Sequence, residues 1–182
     1  PSWIRVGTFE FFARSRDKET ISQLADYVIK QSYPHLENEE NKYEKMFYSL
    51  VDKTAELLAK WQVYGFQHGV MNTDNFSVAG LTLDYGPYAF MDYFEKNSIC
   101  NHTDQEGKYS YNNQPYVARW NLFALIDALK LICDESKLES YMKAFLPQHE
   151  KVYLDLMNKR LGLDASKSGN LNLHLILELL GS

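Results

Sequence analysis

The sequence has no run of lysines or arginines: 19 basic residues stand against 24 acidic ones, giving a formal net charge of −5 and a pI near 5.5. A nucleic-acid surface usually shows as a clustered basic excess, so this balance argues against a nucleic-acid partner. No apolar stretch approaches the roughly 20 residues needed to cross a bilayer. The opening Pro-Ser-Trp-Ile-Arg also lacks the basic and apolar regions of a signal peptide. A soluble chain without a membrane partner is expected. Cysteine is scarce: Cys100 and Cys133 lie far apart and form no CxxC or His/Cys cluster. They read as unpaired thiols in a reducing compartment. There is no internal repeat, low-complexity tract or obvious linker. What the sequence does have is apolar and aromatic weight, 45% and 14% of its 182 residues, enough for one sizeable core. A single domain over residues 1–182 is expected, and the start at Pro1, in mid-pattern, reads as a fragment.

Periodicity makes most of the chain helical. Thr20 with Gln23 forms a capping-box signal ahead of Ile21, Leu24, Ala25 and Val28, and that helix should end before Pro34. Met46, Phe47, Leu50, Val51, Leu57, Leu58 and Trp61 mark one face of a long amphipathic helix. The period then changes: Phe76 and Val78, followed by Leu81 and Leu83, flank Ala79-Gly80 and predict two short strands joined by a tight turn. A loop rich in Asn, Tyr and Gly runs from about Asn97 to Pro115, too long to be a mere connector. Helical spacing returns over Trp120–Leu129, over Tyr141–Leu161 with a break near Pro147, and over Leu171–Leu180. The fold class expected is mainly α with a small β-hairpin, that is, α+β.

The chemistry concentrates in HGVMNTDNFSVAGLTLDYG, residues 68–86. A long helix, a loop, and a hairpin ending in Asp-x-Gly is the order of parts in the larger, C-terminal lobe of protein kinases. On that template His68 takes the place of the loop histidine, Asn75 that of the metal-binding Asn, and Asp84-Tyr85-Gly86 that of D-F-G. A strand going out and one coming back would return Asp84 to the neighbourhood of Asn75. An amide oxygen and a carboxylate meeting there are hard ligands suited to Mg²⁺ or Mn²⁺ on nucleotide phosphates. Where a kinase has its catalytic Asp this chain has Val70, which accepts no proton. Asp74 is the only carboxylate in the loop and the best available general base. By itself Asn72-Thr73-Asp74-Asn75 is accounted for equally by a turn and by a metal site.

The stretch WQVYGFQHGVMNTDNFSVAGLTLDYGPYAFMDYF closely resembles the selenoprotein O family, pseudokinase-fold enzymes that transfer AMP from ATP to protein hydroxyls. IRVGTFEFFA, ICNHTDQEGKYSYNNQP, ARWNLFALIDAL and YLDLMNKRLGL extend the resemblance over nearly the whole chain. It implies Asp74 as catalytic base, Asn75 and Asp84 as metal ligands, and Arg5 in contact with the nucleotide phosphates. It also implies ATP with Mg²⁺ or Mn²⁺ as cofactors and proteins bearing Ser, Thr or Tyr hydroxyls as substrates. Family members bind ATP reversed relative to kinases, so that the α-phosphate is attacked and pyrophosphate leaves. Ser2-Trp3 stands where members often carry Ser-His. The family's smaller lobe, with its glycine-containing loop, strand Lys and partner Glu, has no counterpart here. The chain is therefore expected to be the larger lobe alone, catalytically inactive by itself, with the smaller lobe packing on its cleft face. The resemblance implies a bacterial cytoplasmic protein, or a mitochondrial one in a eukaryote.

Two other functions stay open on the residues alone. Val70 fits a non-catalytic pseudokinase module that binds a nucleotide or partner, and a displaced base fits a phosphotransferase. Lesser candidates are Cys100, His102 and Asp104, read as structural hydrogen bonding rather than metal ligation, and Tyr109, Ser110 and Tyr111, which lie where an activation segment would touch protein substrate. Trp61, Trp120 and Tyr153 are expected to be core or half-buried.

Overall fold

In a computed structural model, which describes residues 2–163, six α-helices, three 3₁₀ turns and one two-stranded sheet are found among the described residues. The helix expected over Leu171–Leu180 lies outside the described residues. The helices are α1 (Val6–Ala13), α2 (Lys18–Ser32), α3 (Lys42–Val63), α4 (Gln114–Leu129), α5 (Glu135–Met142) and α6 (Phe145–Leu161), with single 3₁₀ turns at Pro34–Leu36, Thr73–Asn75 and Tyr111–Asn113 completing the count of helical elements in sequence order. Among these residues no helix is long and apolar enough to cross a membrane.

The long helix α3 organises the rest. Its stripe of Met46, Phe47, Leu50, Val51, Leu58 and Trp61 is buried, as the period of 3.6 requires, and it packs along α6. The same core takes in Phe9 of α1, Ile21, Ala25 and Val28 of α2, and Leu122, Leu125 and Ile126 of α4. Tyr33, which ends α2, is wholly buried and donates its hydroxyl to the Val78 carbonyl at 2.9 Å. That bond fastens the segment beyond Asn75 to the helical core.

Several local expectations are corrected. Helix α2 starts at Lys18, capped by Asp17, whose Oδ1 accepts from the Thr20 amide at 3.0 Å, so the cap lies upstream of the Thr20/Gln23 pair. The break expected near Pro147 falls at Lys143–Ala144, and Pro147 sits in the first turn of α6, where its missing N–H is no loss. The strand pair expected across Phe76–Leu83 shrinks to one antiparallel bridge, Phe76 to Thr82, around a turn with Gly80 at φ +70°. The regular sheet is elsewhere: β1 (Phe66–Gln67) pairs antiparallel with β2 (Ala89–Phe90). The outer strand partner is taken instead by the segment before α1, since Arg5 bridges Ser77 and the Val6 amide donates to the Phe76 carbonyl at 2.9 Å. Trp120 is 58% exposed, against the expectation of burial, while Trp61 is buried and Tyr153 half-buried.

Candidate active site

Residues 68–75 leave the end of β1 and run beneath α1. Asn72 caps the Thr73–Asn75 turn, its side-chain Oδ1 accepting from the Asn75 amide at 3.0 Å. So the turn reading of Asn-Thr-Asp-Asn is correct for the backbone, and it leaves the side chains of Asp74 and Asn75 for other work. Asp74 is exposed and lies directly over Gly7 of α1: a Cβ added at Gly7 would overlap the Asp74 carboxylate and stand 3.3 Å from its backbone nitrogen. Thr73 donates to Glu10 of the same helix at 2.8 Å. Helix α1 is therefore the lid against which this turn is set.

Asn75 donates its side-chain Nδ2 to the Val70 carbonyl at 3.0 Å, which orients the amide and leaves Oδ1 as a free acceptor. The Phe76–Thr82 bridge sets Asn75 opposite Leu83 in register, with Asp84 one residue beyond, so the two backbones stand at the same end of the turn. Asp84 is exposed and adopts a left-handed backbone, φ +59°, a conformation uncommon for a non-glycine residue and tolerated by Asp. Strained positions of this kind cluster at functional sites.

His68 is buried, and its Nε2 contacts the Leu83 carbonyl at 2.6 Å, next to Asp84. Its Nδ1 accepts from the Val70 amide at 3.4 Å. Burial pushes its pKa below the ordinary imidazole value, although the bond to Leu83 works against that. A buried neutral ring with both nitrogens engaged is a scaffold. Arg5 lies half-buried at the head of α1, and its Nε is buried with no hydrogen-bond partner among the described residues. A buried guanidinium nitrogen left without a partner is costly.

Other candidates fall away from substrate contact. Ser110 and Tyr111 are buried, so the expectation that they touch protein substrate fails for both. The Tyr111 hydroxyl donates to the Gln62 carbonyl at 2.6 Å, and burial raises its pKa. Asp104 accepts from the amides of Lys108 and Tyr109 at 2.9 and 2.7 Å and so shapes its loop, the structural role expected for it. Both cysteines are free thiols. Among the described residues no group of three or more His, Cys, Asp or Glu side chains could hold a metal.

Three residues escaped the sequence reading: Gly7, and two wholly buried amides of α4, Gln114 and Asn121. No helix was expected over Val6–Ala13, so Gly7 carried no signal; a glycine inside a helix usually has a packing or functional reason. Gln114 and Asn121 fall on the apolar period of α4, where polar residues look misplaced.

The chain is similar in sequence to proteins of one class, the protein nucleotidyltransferases. A protein nucleotidyltransferase YdiU of Pseudomonas putida is 46% identical over 172 residues, covering 94% of this chain and 35% of that protein. Its namesake in Pseudomonas paraeruginosa is 48% identical over 163 residues, 90% of this chain and 34% of that protein. The chain thus spans about a third of the length of these curated relatives. The family model for protein adenylyltransferase SelO matches residues 1–181, and the chain belongs to that family.

Proposed function

We propose that these residues form the kinase-like larger lobe of a protein adenylyltransferase, as one domain, and that it transfers AMP from ATP to Ser, Thr or Tyr hydroxyls of proteins. The observation that carries the reading is a convergence on one turn. Asp74 lies over Gly7, two residues from the unpaired Arg5 Nε, and its neighbour Asn75 stands in register beside the segment leading to Asp84.

In this reading the acceptor hydroxyl gives its proton to the Asp74 carboxylate while its oxygen forms a bond to the α-phosphorus. The bond from that phosphorus to the oxygen bridging to the β-phosphate breaks, and pyrophosphate carries the electron pair away. Arg5, half-buried at the head of α1, offers its guanidinium to a phosphate oxygen, and His68 keeps the Asp84 segment in register. Asn75 Oδ1 and the Asp84 carboxylate would hold a divalent ion. Two hard oxygen donors without a third protein ligand suit Mg²⁺, which completes its shell with substrate phosphate and water. Such an ion, when bound, neutralises phosphate charge. The smaller lobe of the complete enzyme packs on the face where Tyr64, Tyr85 and Phe90 are exposed around an open cavity of about 320 Å³. Placement in a bacterial cytoplasm agrees with the two free thiols.

The test uses a full-length enzyme carrying these residues, incubated with a protein acceptor and ATP labelled at either the α- or the γ-phosphate. Label from the α-position alone is expected on the protein. Transfer from the γ-position alone would make it a phosphotransferase, and nucleotide binding without any transfer would make it a binding module, the reading that Val70 favours.

A further inference from the structure

Gln114 and Asn121 are the two polar residues with no exposure at all among those described. Seven residues apart, they lie two turns apart on one face of α4. Gln114 stands at the start of the helix, and its Oε1 accepts from the His68 amide at 3.0 Å while its Nε2 donates to the Phe66 carbonyl at 3.1 Å. Asn121 donates Nδ2 to the Met71 carbonyl at 2.8 Å. Between them they grip the backbone at both ends of the 66–71 segment. That segment needs the grip, because its strand is only two residues long and pairs with β2 on one side.

Stability alone does not explain the choice of residues. The neighbours Val117, Ala118, Leu122 and Leu125 are apolar and buried, and a buried amide costs desolvation that a modest net hydrogen bond barely returns. Asn121 even leaves its Oδ1 buried without a partner. What the two amides do supply is a fixed path. Met71 lies three residues before Asp74. His68, held through its amide by Gln114, holds in turn the Leu83 carbonyl next to Asp84.

We propose that Gln114 and Asn121 are positioning residues, a two-point clamp by which α4 sets Asp74 and Asp84 at the distance the transfer reaction needs. The proposal rests on the reading of Asp74 as base given above. Neither amide touches substrate.

The experiment compares Asn121→Ala, Gln114→Glu, Leu122→Ala and Asp74→Ala in a full-length enzyme, by AMP transfer from α-labelled ATP, thermal unfolding, and hydrogen exchange of peptides spanning 66–76. Leu122→Ala destabilises the same helix while removing no hydrogen bond to the loop. Asn121→Ala is expected to lower kcat about 10- to 100-fold, the scale of a displacement near 1 Å, with the KM for ATP within about threefold of wild type. Leu122→Ala should keep its turnover at temperatures where it is folded. Gln114→Glu keeps an acceptor for the His68 amide but sets an oxygen against the Phe66 carbonyl; it should lose turnover by a smaller factor and decides the matter if Asn121→Ala does not fold. Exchange of residues 66–76 should quicken in both clamp variants and not in Leu122→Ala. Clamp variants that match Leu122→Ala in turnover and in loop exchange would overturn the proposal. Full turnover in Asp74→Ala would instead remove the base, and loop exchange would still decide whether the clamp exists.

Discussion

Replacing Gly7 by alanine is the smallest change that reaches the site. The added methyl would overlap the Asp74 carboxylate, stand 3.1 Å from its Cγ and press on the Asp74 backbone nitrogen at 3.3 Å. Asp74 is exposed, so its side chain can swing toward solvent and the methyl need not stay in collision. Overpacking costs about 1–3 kcal/mol where nothing can yield, and less here; Gly→Ala within a helix returns up to about 1 kcal/mol. The net change in stability should fall within about 1 kcal/mol of zero, measurable by denaturant unfolding of the 182-residue chain. Turnover should respond quite differently. A carboxylate moved by about 1 Å or more loses on the order of 100-fold in rate, in a full-length enzyme assayed for AMP transfer. The decisive form is a double-mutant cycle with Asp74→Ala. Once the carboxylate is gone, Gly7→Ala should cost no further turnover and should stabilise the fold by up to about 1 kcal/mol. An unchanged rate in Gly7→Ala, or an equal loss of rate in both backgrounds, would refute the reasoning.

Other outcomes follow from burial. His149 on α6 is buried with its Nε2 unpartnered, and burial lowers its pKa from 6.5 to about 4. Because the folded pKa lies below the unfolded one, the unfolded chain takes up the proton first, and stability is lost as the pH falls from about 6.5 to 4. A drop of that size corresponds to roughly 3 kcal/mol, so wild type should lose about that much more than His149→Phe over this range; equal losses would exclude the ring. Tyr111→Phe, which deletes the donor to the Gln62 carbonyl, should cost roughly 1–3 kcal/mol in stability and leave the choice of protein acceptor unchanged; altered acceptor choice would return Tyr111 to the substrate surface. The 182-residue chain alone should fold yet fail to transfer AMP, since phosphoryl-type chemistry needs positioning from both sides of the nucleotide; robust transfer that vanishes in Asp84→Ala would show the other lobe to be dispensable.

Two helices of the core were legible because burial imposes their period: the stripe from Met46 to Trp61 and the run from Trp120 to Leu129 needed no tertiary knowledge, although α4 begins earlier, at Gln114. What was misread depended on it. Phe76–Leu83 alternates like a hairpin, but the backbone of Ile4 to Val6 takes up Ser77, Phe76 and Val78, and the hairpin narrows to a single bridge. Asp17 and Thr20 are both good caps, and only the extended backbone at Asp17 decides between them. Trp120 keeps the apolar spacing of α4 yet is exposed, near the Lys108 ammonium at 5.7 Å from its ring. At the site, Asp74, Asn75 and Asp84 were singled out by their spacing and by the family resemblance, and Arg5 by the resemblance alone. Gly7, Gln114 and Asn121 were invisible, since a close approach and two long-range hydrogen bonds leave no mark on local pattern.

The division of labour between Asp74 and Asp84 is tested most directly by nucleotide binding measured beside turnover, in a full-length enzyme with and without Mg²⁺. Asp74→Ala should bind Mg²⁺-ATP nearly as wild type does while losing on the order of 100- to 10,000-fold in AMP transfer, the range for a positioned general base. Asp84→Ala should lose the Mg²⁺-dependent part of binding together with transfer. Unchanged transfer in Asp74→Ala, or metal-dependent binding that survives in Asp84→Ala, would contradict the assignment of the site.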